Sequence, residues 1–365
     1  MTMMKTDTDK PQVADPKEIA SFDCDRQLSR ARFTLDGAML VAGGFDASVR
    51  RWKMVDDKFE EIESIGSQRH HGWVDAIALH PDAKTNRLFT GDTWGTLCCW
   101  SLGDDAGEPV WSIDDAHDGW IRGIAVSPDG KMLATCGRDR AVKLRSAEDG
   151  KPVRDLPRHD EDIYAIAFAP DGRTLVTGDE KGVLRQWNVE TGDLVREFDA
   201  KVFYKYDRIQ DVGGLRVLAF DHDGRRLFAG GSQPDRGATM QGTPTILVFD
   251  TATGDLQHTM THGEPKDGHV VDLHIHKDGY VMAVTTGVPG NGRFYFHRVG
   301  EEKPFFETKV LNCHALAVHP DGRHIVVTST NRGSNGNGRK VDDDGNYIGN
   351  YSPLTLFQMG ADASA

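Results

Sequence analysis

The sequence contains no run of about 18 apolar residues, which is the length needed to cross a bilayer as a helix. Its first 15 residues are polar and lack the apolar segment of a secretion signal. We therefore expect a cytoplasmic protein without membrane contact, in which residues 1–15 form a disordered N-terminal segment.

Basic residues are scarce relative to acidic ones. The 365-residue chain has 43 lysines and arginines against 56 aspartates and glutamates, which gives a formal net charge of −13. Because nucleic-acid binding depends on lysine and arginine side chains that neutralise phosphates, this balance argues against a nucleic-acid partner. The five cysteines are scattered and odd in number, which does not suit a disulfide framework and favours a reducing compartment.

Several well-known catalytic motifs are missing as well. The sequence has no Gly-x-Ser-x-Gly nucleophile turn, no Gly-x-x-x-x-Gly-Lys phosphate loop and no His-Glu-x-x-His zinc motif. His274 and His276 would share one face of a strand, but a zinc site needs about three or four ligands. We therefore expect no enzymatic activity, no cofactor and no metal site.

What the sequence does contain is an internal repeat. In its clearest copies, residues 124–135 and 166–177, two segments of alternating apolar residues flank a Pro-Asp-Gly turn. This pattern predicts a β-hairpin. An aspartate marks the same turn seven times along the chain, at Asp36, Asp82, Asp129, Asp171, Asp223, Asp278 and Asp321.

Two further strands follow each hairpin. The third ends in a large residue such as Trp52, Trp100 or Trp187, and the fourth follows a polar turn. Four antiparallel strands per repeat predict one blade of a β-propeller, so we expect an all-β, seven-bladed fold. The last repeat stops after its third strand, and residues 18–22 are expected to supply the fourth strand and close the ring. The single propeller would then cover 16–358, followed by a disordered tail at 359–365.

Over about residues 17–357 the sequence resembles the WD40 repeat family of β-propellers, in a bacterial-type form with degenerate repeats. The family pattern has a histidine before the first strand, a serine or threonine late in the second, an aspartate in the next turn and a tryptophan ending the third. The resemblance assigns a structural hydrogen-bond network to eleven residues: Asp46, Trp52, His70, Thr90, Trp100, His117, Thr135, Asp139, His159, Thr177 and Trp187.

The blades depart from this pattern at particular positions. Blade one has Cys24 in the histidine position, and blade three has Arg145 in the tryptophan position. The aspartate position holds Trp94 in blade two and Lys181 in blade four. No blade then carries the full set, so we expect the network to be only partial.

In the architecture that the resemblance implies, the connections from strand d to strand a and from strand b to strand c emerge on one face, called the top face here. The four longest connections all belong to these two types and lie on consecutive blades, at 199–214, 233–242, 288–292 and 331–353. They are rich in tyrosine and arginine, residue types common in interface hot spots. We expect them to form a raised rim over half of the top face.

The other half of the top face is predicted to carry tryptophans. Trp73 and Trp120 come just before strand a of blades two and three, and Trp94 lies in the b–c turn of blade two. The repeat alignment places one residue per blade at the mouth of the central channel: Ser29, Asp75, Arg122, Tyr164, Arg216, Val271 and His314.

The resemblance implies protein or peptide docking on the top face, so we predict a non-catalytic protein–protein interaction scaffold. The predicted partner-binding residues are Trp73, Asp75, Trp94, Trp120, Arg122, Tyr164, Tyr204, Tyr206, Arg216, Arg236 and Arg332. One alternative is a metal-dependent lactonase or hydrolase, which would need several acids in the channel. Only Asp75 qualifies at the mouth, with Asp162, Asp272 and Asn312 nearby. Another alternative is a permanent structural subunit of a larger complex.

Overall fold

The computed structural model describes most of the chain, namely residues 13, 15–103, 107–207, 209–235, 241–331, 340–341 and 347–360. Most of the two terminal segments expected to be disordered lie outside these residues, so that expectation stays a prediction. Val13 and Met359, which belong to those segments, pack against the apolar core between blades six and seven.

The described chain forms seven four-stranded antiparallel sheets, which confirms the predicted all-β propeller. The strands are given in the order a to d, from the channel outward. Blade one consists of Leu28–Phe33, Met39–Gly44, Val49–Val55 and Lys58–Ile65. Blade two consists of Val74–Leu79, Arg87–Asp92, Leu97–Ser101 and Trp111–Ile113. Blade three consists of Ile121–Val126, Met132–Gly137, Val142–Ser146 and Pro152–Leu156.

The remaining blades follow the same order. Blade four consists of Ile163–Phe168, Thr174–Asp179, Val183–Asn188 and Leu194–Asp199. Blade five consists of Val217–Phe220, Arg226–Pro234, Gly242–Asp250 and Leu256–Thr261. Blade six consists of His269–Ile275, Tyr280–Thr286, Phe294–Arg298 and Phe306–Thr308. Blade seven consists of Cys313–Val318, His324–Ser329, Ser352–Gln358 and the N-terminal strand Lys17–Cys24.

The N-terminal strand closes the ring, as predicted. Lys17–Cys24 pairs with Ser352–Gln358 in antiparallel register, so that the sheet of blade seven is built from both ends of the described chain. The Leu28 amide donates to the Ser352 hydroxyl at 2.9 Å and ties blade one to this sheet. The inner strands of successive blades contact one another around the whole ring, including blade seven with blade one. The pairing with Lys17–Cys24 covers the outer edge of Ser352–Gln358, which would otherwise be open to another chain.

The apolar core lies between neighbouring blades. Trp52, Trp100 and Trp187 lie in the third strands of blades one, two and four and are buried, with exposed fractions of 2%, 0% and 1%. Trp187 packs in one cluster with Val142 and Leu144 of the preceding blade. Each large side chain therefore fills the wedge between two sheets, which is the packing role expected of it.

The a–b turns, on the face opposite the top, join neighbouring blades by histidines. The His80 Nε2–H of blade two donates to the Gly130 carbonyl of blade three at 3.0 Å, and His319 of blade seven bonds the Gly37 carbonyl of blade one at 3.1 Å. Gly130 has φ +73°, and a Cβ there would lie 2.3 Å from His80 Nε2. Glycine is needed at this turn both for its backbone conformation and for the ring that lies against it.

Several small elements stand outside the blades. A 3-10 turn at Lys201–Phe203 leads into a hairpin of Tyr204–Asp207 and Gln210–Gly213, and Lys340–Val341 pairs with Tyr347–Ile348. A second 3-10 turn covers Pro265–Asp267. Among the described residues, no helix has the length and apolarity that a membrane span requires.

Candidate functional site

A β-bulge at the start of the inner strand exposes one residue to the channel. In blades two, three and four the strand pairing skips Asp75, Arg122 and Tyr164, so each of these residues has no partner directly opposite it. A bulge locally re-aims the side chain of the extra residue. These three side chains and Arg216 of blade five line one cavity at the channel mouth, with a volume of about 110 Å³.

Blade one differs from this arrangement. Ser29 occupies the predicted position, but it is buried, and its hydroxyl donates to the Val74 carbonyl at 2.6 Å instead of facing the channel. Arg30 lines the cavity in its place and donates to the Val271 carbonyl at 2.8 Å. The sequence signal for Arg30 is that the corresponding positions of blades two to four hold only alanine or glycine, at Ala76, Gly123 and Ala165.

Arg122 is held between two aromatic rings. Its guanidinium carbon lies 3.4 Å from the centre of the Trp120 ring and 4.6 Å from the centre of the Tyr164 ring. Its Nε is buried and has no hydrogen-bond partner among the described residues. The guanidinium is therefore oriented by stacking, and its donors are not used by the propeller itself.

Arg216 flanks Tyr164 as well. Its guanidinium carbon lies 5.0 Å from the Tyr164 ring centre, and it donates to the Leu215 carbonyl at 2.7 Å. Its Nη2 lies 3.2 Å from His269 Nε2. Burial and the nearby Arg216 charge hold the pKa of His269 well below its ordinary value. His269 is thus neutral near pH 7, and its Nε2 can accept a hydrogen bond from Arg216 Nη2.

The channel mouth carries an excess of positive charge. Arg32 forms two hydrogen bonds to the Asp272 carboxylate, at 2.7 and 3.3 Å, so these two charges neutralise each other. The remaining lining charges are three arginines and Asp75, whose carboxylate accepts a 3.2 Å hydrogen bond from Trp120 Nε1. Burial lowers the pKa of Arg216, and repulsion from Arg122 and Arg30 adds to this effect.

Two further acids lie close to this cluster. Burial raises the pKa of both Asp162 and Glu180, while the charges of Arg122 on Asp162 and of Arg216 on Glu180 act in the opposite direction. Neither acid belongs to the cavity lining.

Next to the channel mouth, four aromatic residues form what we term the aromatic shelf: Phe45, Trp73, Trp94 and Trp120. Together they line a cleft of about 490 Å³ on the top face. Phe45 stacks on Trp73 at 4.3 Å between ring centres, and Trp73 meets Trp120 edge to face at 6.2 Å. Trp94 is 70% exposed and Trp73 is 44% exposed. Phe45 was not among the predicted residues of this surface. Its position in the b–c turn of blade one, the same kind of turn that holds Trp94 in blade two, could have indicated it.

The predicted rim is only partly described. The Tyr204 hydroxyl donates to Asp211 within its own hairpin, and Lys181 Nζ lies 5.6 Å from the centre of the Tyr204 ring. Tyr206, two residues further along the same strand, is 62% exposed. Arg236 and Arg332 lie outside the described residues, so their predicted role stays a prediction.

The hydrogen-bond network inside the blades is more complete than the sequence indicated. In blade four, His159 bonds Asp179 at 3.0 Å and Thr177 at 2.8 Å, and Trp187 Nε1 donates to the Thr177 hydroxyl at 2.8 Å. Because the carboxylate only accepts, His159 carries its proton on Nδ1 and Thr177 donates to Nε2.

Blade two has the same network. His70 bonds Asp92 and Thr90, and Trp100 donates to Thr90 at 2.8 Å. Burial alone would raise the pKa of Asp92, but hydrogen bonds from His70 and from the backbone outweigh it and hold this pKa well below its ordinary range.

The aspartate assignments for blades two and four were therefore wrong. Asp92 and Asp179 end strand b two residues after the threonine, where each carboxylate reaches the histidine and accepts amides of the following turn. Trp94 and Lys181 do not take this position, and both blades carry the full set.

Blades one and three keep partial sets. In blade three, His117 bonds Asp139 at 2.9 Å and Thr135 at 2.8 Å, but Arg145 supplies no indole donor, and its own Nε is buried without a partner among the described residues. In blade one, Asp46 bonds Ser48 and Arg50 instead of a histidine.

Two of the side chains that could serve as ligands of a metal ion in the channel already make hydrogen bonds within the protein. Asp272 accepts the Leu316 amide at 3.1 Å in addition to Arg32, and Asn312 Oδ1 accepts the Gly290 amide at 2.7 Å. In the part of the chain that the structure describes, three side chains that could ligate a metal ion lie together away from the channel. They belong to the a–b turn of blade seven and are His319, Asp321 and His324.

Both ring nitrogens of His319 are already used. They bond the Asp321 amide and the Gly37 carbonyl at 3.1 Å each. This group therefore serves the turn and the contact between blades seven and one.

These features define a class of protein, the seven-bladed β-propeller with histidine–threonine–aspartate networks inside its blades. Comparison with known families gives the particular kind. The family profile of the WD domain, G-beta repeat, matches residues 62–101, 107–146 and 150–188. Each match covers the outer strand of one blade and the first three strands of the next. Three of the seven blades therefore match the WD40 repeat, within a chain that folds as a seven-bladed propeller.

One curated relative is the "Probable cytosolic iron-sulfur protein assembly protein 1" of Kluyveromyces lactis. The two sequences are 26% identical over 122 residues, which is 31% of this chain and 35% of that protein. The chain thus matches about a third of the length of this relative.

Proposed function

We propose that this protein is a non-catalytic scaffold that binds a protein or peptide partner on the top face of the propeller. The observation that carries the proposal is the continuous contact chain of Trp73, Trp120, Arg122, Tyr164 and Arg216, which runs across four blades. Tryptophan, tyrosine and arginine are the residue types that dominate interface hot spots.

The geometry favours binding because these side chains are already ordered. A partner that docks on side chains held by stacking loses less conformational entropy than one that must immobilise free side chains. Trp120 connects the two cavities, because it lines the aromatic cleft and stacks on Arg122, which lines the channel mouth. Asp75, Trp94, Tyr204, Tyr206, Arg236 and Arg332 are the further residues that we assign to this interaction surface.

We also infer the chemical class of the partner and the cellular compartment of this protein. The formal charge of −13 argues against nucleic acid, and we infer a cytoplasmic protein without membrane contact. The name of the Kluyveromyces lactis relative refers to the assembly of iron-sulfur proteins, which suits a partner-binding role. The partner can bind transiently, or this protein can be a permanent subunit of a larger complex.

Affinity capture from the native cell tests the proposal. The double variant Trp120→Ala/Arg122→Ala should keep the fold and lose the captured partner, because both side chains belong to the top face. The matched control is Lys131→Ala/Lys151→Ala, two exposed residues in turns on the opposite side. An unchanged set of captured proteins in the first variant, or equal loss in both, would overturn the proposal.

A further inference from the structure

The arginines at the channel mouth form a site with unused hydrogen-bond donors. Arg30 and Arg216 each donate to a backbone carbonyl, whereas the Nε of Arg122 is buried and has no hydrogen-bond partner among the described residues. Buried polar groups normally have partners, and an exception in a cavity points to a ligand. The donors of Arg122 lie beside a cavity lined by the other two arginines.

The stacking of Arg122 also restricts what can bind. The Trp120 and Tyr164 rings lie 3.4 and 4.6 Å from the guanidinium carbon and fix the side chain in position. A guanidinium held this way presents a planar fork of N–H donors, which matches the two oxygens of a carboxylate. The cavity of about 110 Å³ has room for such a group.

Charge gives a second, independent reason. Three arginines and one free carboxylate, Asp75, line the cavity once the Arg32–Asp272 pair is set aside. The three guanidinium groups line a single cavity of about 110 Å³, so their positive charges lie close together. An anion placed among them would relieve the repulsion.

We propose that the channel mouth binds the carboxylate of an acidic residue in the partner peptide, with Arg122 as its main ligand and with Arg216 and Arg30 supporting it. This inference rests on the proposed function and names the chemistry of the partner. Residues next to that acid would then pack on the aromatic shelf, because Trp120 of that shelf lies directly against Arg122.

Selection of random seven-residue peptides on the full chain tests this assignment. Peptides whose binding is lost in Trp120→Ala/Arg122→Ala should share an Asp or Glu at one position. A shared sequence without an acid would overturn the carboxylate assignment and leave the proposed function intact. If no selected peptide depends on these two residues, the proposed function itself fails.

A double-mutant cycle then locates the contact. We expect Arg122→Gln, or Glu→Gln in the selected peptide, to weaken binding by about tenfold or more, and we expect the combination to cost little beyond either change. The matched control is Arg138→Gln, an exposed arginine in the b–c turn of blade three. Equal and additive losses in Arg122→Gln and Arg138→Gln would show a general charge effect and contradict the site.

A competition experiment on the unmodified protein covers the case in which Arg122→Gln does not fold. Sodium acetate should displace the selected peptide more strongly than sodium chloride does at the same ionic strength, because acetate carries the carboxylate. Equal displacement by both salts would contradict the assignment. A phosphoserine in place of the peptide acid should bind at least as well if any oxyanion fits and more weakly if the planar fork of the carboxylate is required.

Discussion

The guanidinium of Arg122 lies flat against Trp120, with its central carbon 3.4 Å from the centre of the ring. The same indole donates through Nε1 to Asp75 and meets Trp73 at its edge. Trp120 therefore links the aromatic shelf to the charged channel mouth. A partner that covers both cavities would contact this tryptophan from two sides.

The tryptophans divide into an exposed group and a packed group, which predicts different effects on stability. Trp94→Ala should change the free energy of unfolding by no more than about 0.5 kcal/mol, because the side chain is 70% exposed. Trp187→Ala should lower it by about 3–5 kcal/mol, because this 1% exposed side chain fills the wedge between blades. Urea denaturation measures both, and similar losses would contradict the division.

The blade networks predict a difference between two equivalent threonines. Thr177→Val in blade four leaves both Trp187 Nε1 and His159 Nε2 without a partner, and it should lower the free energy of unfolding by about 2–4 kcal/mol. Thr135→Val in blade three breaks only the contact with His117 and should cost about 1–2 kcal/mol. A larger loss in blade three would show that the tryptophan donor contributes nothing.

The turn glycines allow a test of the histidine bridge between blades. Gly130→Ala places a methyl group against the His80 ring, whereas Gly279→Ala, at φ +82°, meets nothing within 4 Å. Both substitutions carry the strain of a positive φ, so the difference between them reports the steric clash. We expect Gly130→Ala to be less stable than Gly279→Ala by about 1 kcal/mol or more in thermal denaturation. Equal stability would mean that the histidine moves away freely.

Histidines of the inner strands predict loss of stability in mild acid. Burial and Arg30 lower the pKa of His314 to about 4, and burial with His276 lowers the pKa of His274 to about 4. On unfolding both return to about 6.5, so the unfolded chain binds protons that the folded one does not. The free energy of unfolding should fall as the pH drops from about 6.5 to about 4, by up to about 1.4 kcal/mol per pH unit for each histidine.

The variant His314→Gln isolates one of these contributions. Urea denaturation of this variant across the same pH range should show a smaller slope than the unmodified protein, because glutamine does not titrate. A slope that is unchanged by the substitution would contradict the assignment of the acid sensitivity to this residue.

The sequence was sufficient for the fold because the repeat carries its own turn and strand signals. Seven turn aspartates define seven hairpins, and residues 18–22 lie within the strand Lys17–Cys24 that completes blade seven. Alternation and turn chemistry are local properties, so they can be recognised without any knowledge of tertiary contacts.

The details of the site depend on geometry that spacing does not carry. Asp92 and Asp179 were missed because an aspartate two residues earlier can reach the same histidine when it ends the strand. Ser29 has the aligned position in blade one, but its hydroxyl turns toward the Val74 carbonyl, and the longer Arg30 side chain lines the cavity instead. The stacking of Arg122 between two rings joins blades three and four and has no sequence signature of its own.

The most direct test of the account is hydrogen–deuterium exchange of the propeller with and without its captured partner. We expect the partner to slow exchange in the top-face segments around Trp73, Trp120–Arg122 and Tyr164, while the a–b turns at 127–131 and 169–173 on the opposite face exchange as before. Protection confined to those opposite turns or to the outer strands, with the channel mouth unchanged, would contradict the claim that this protein binds through its top face.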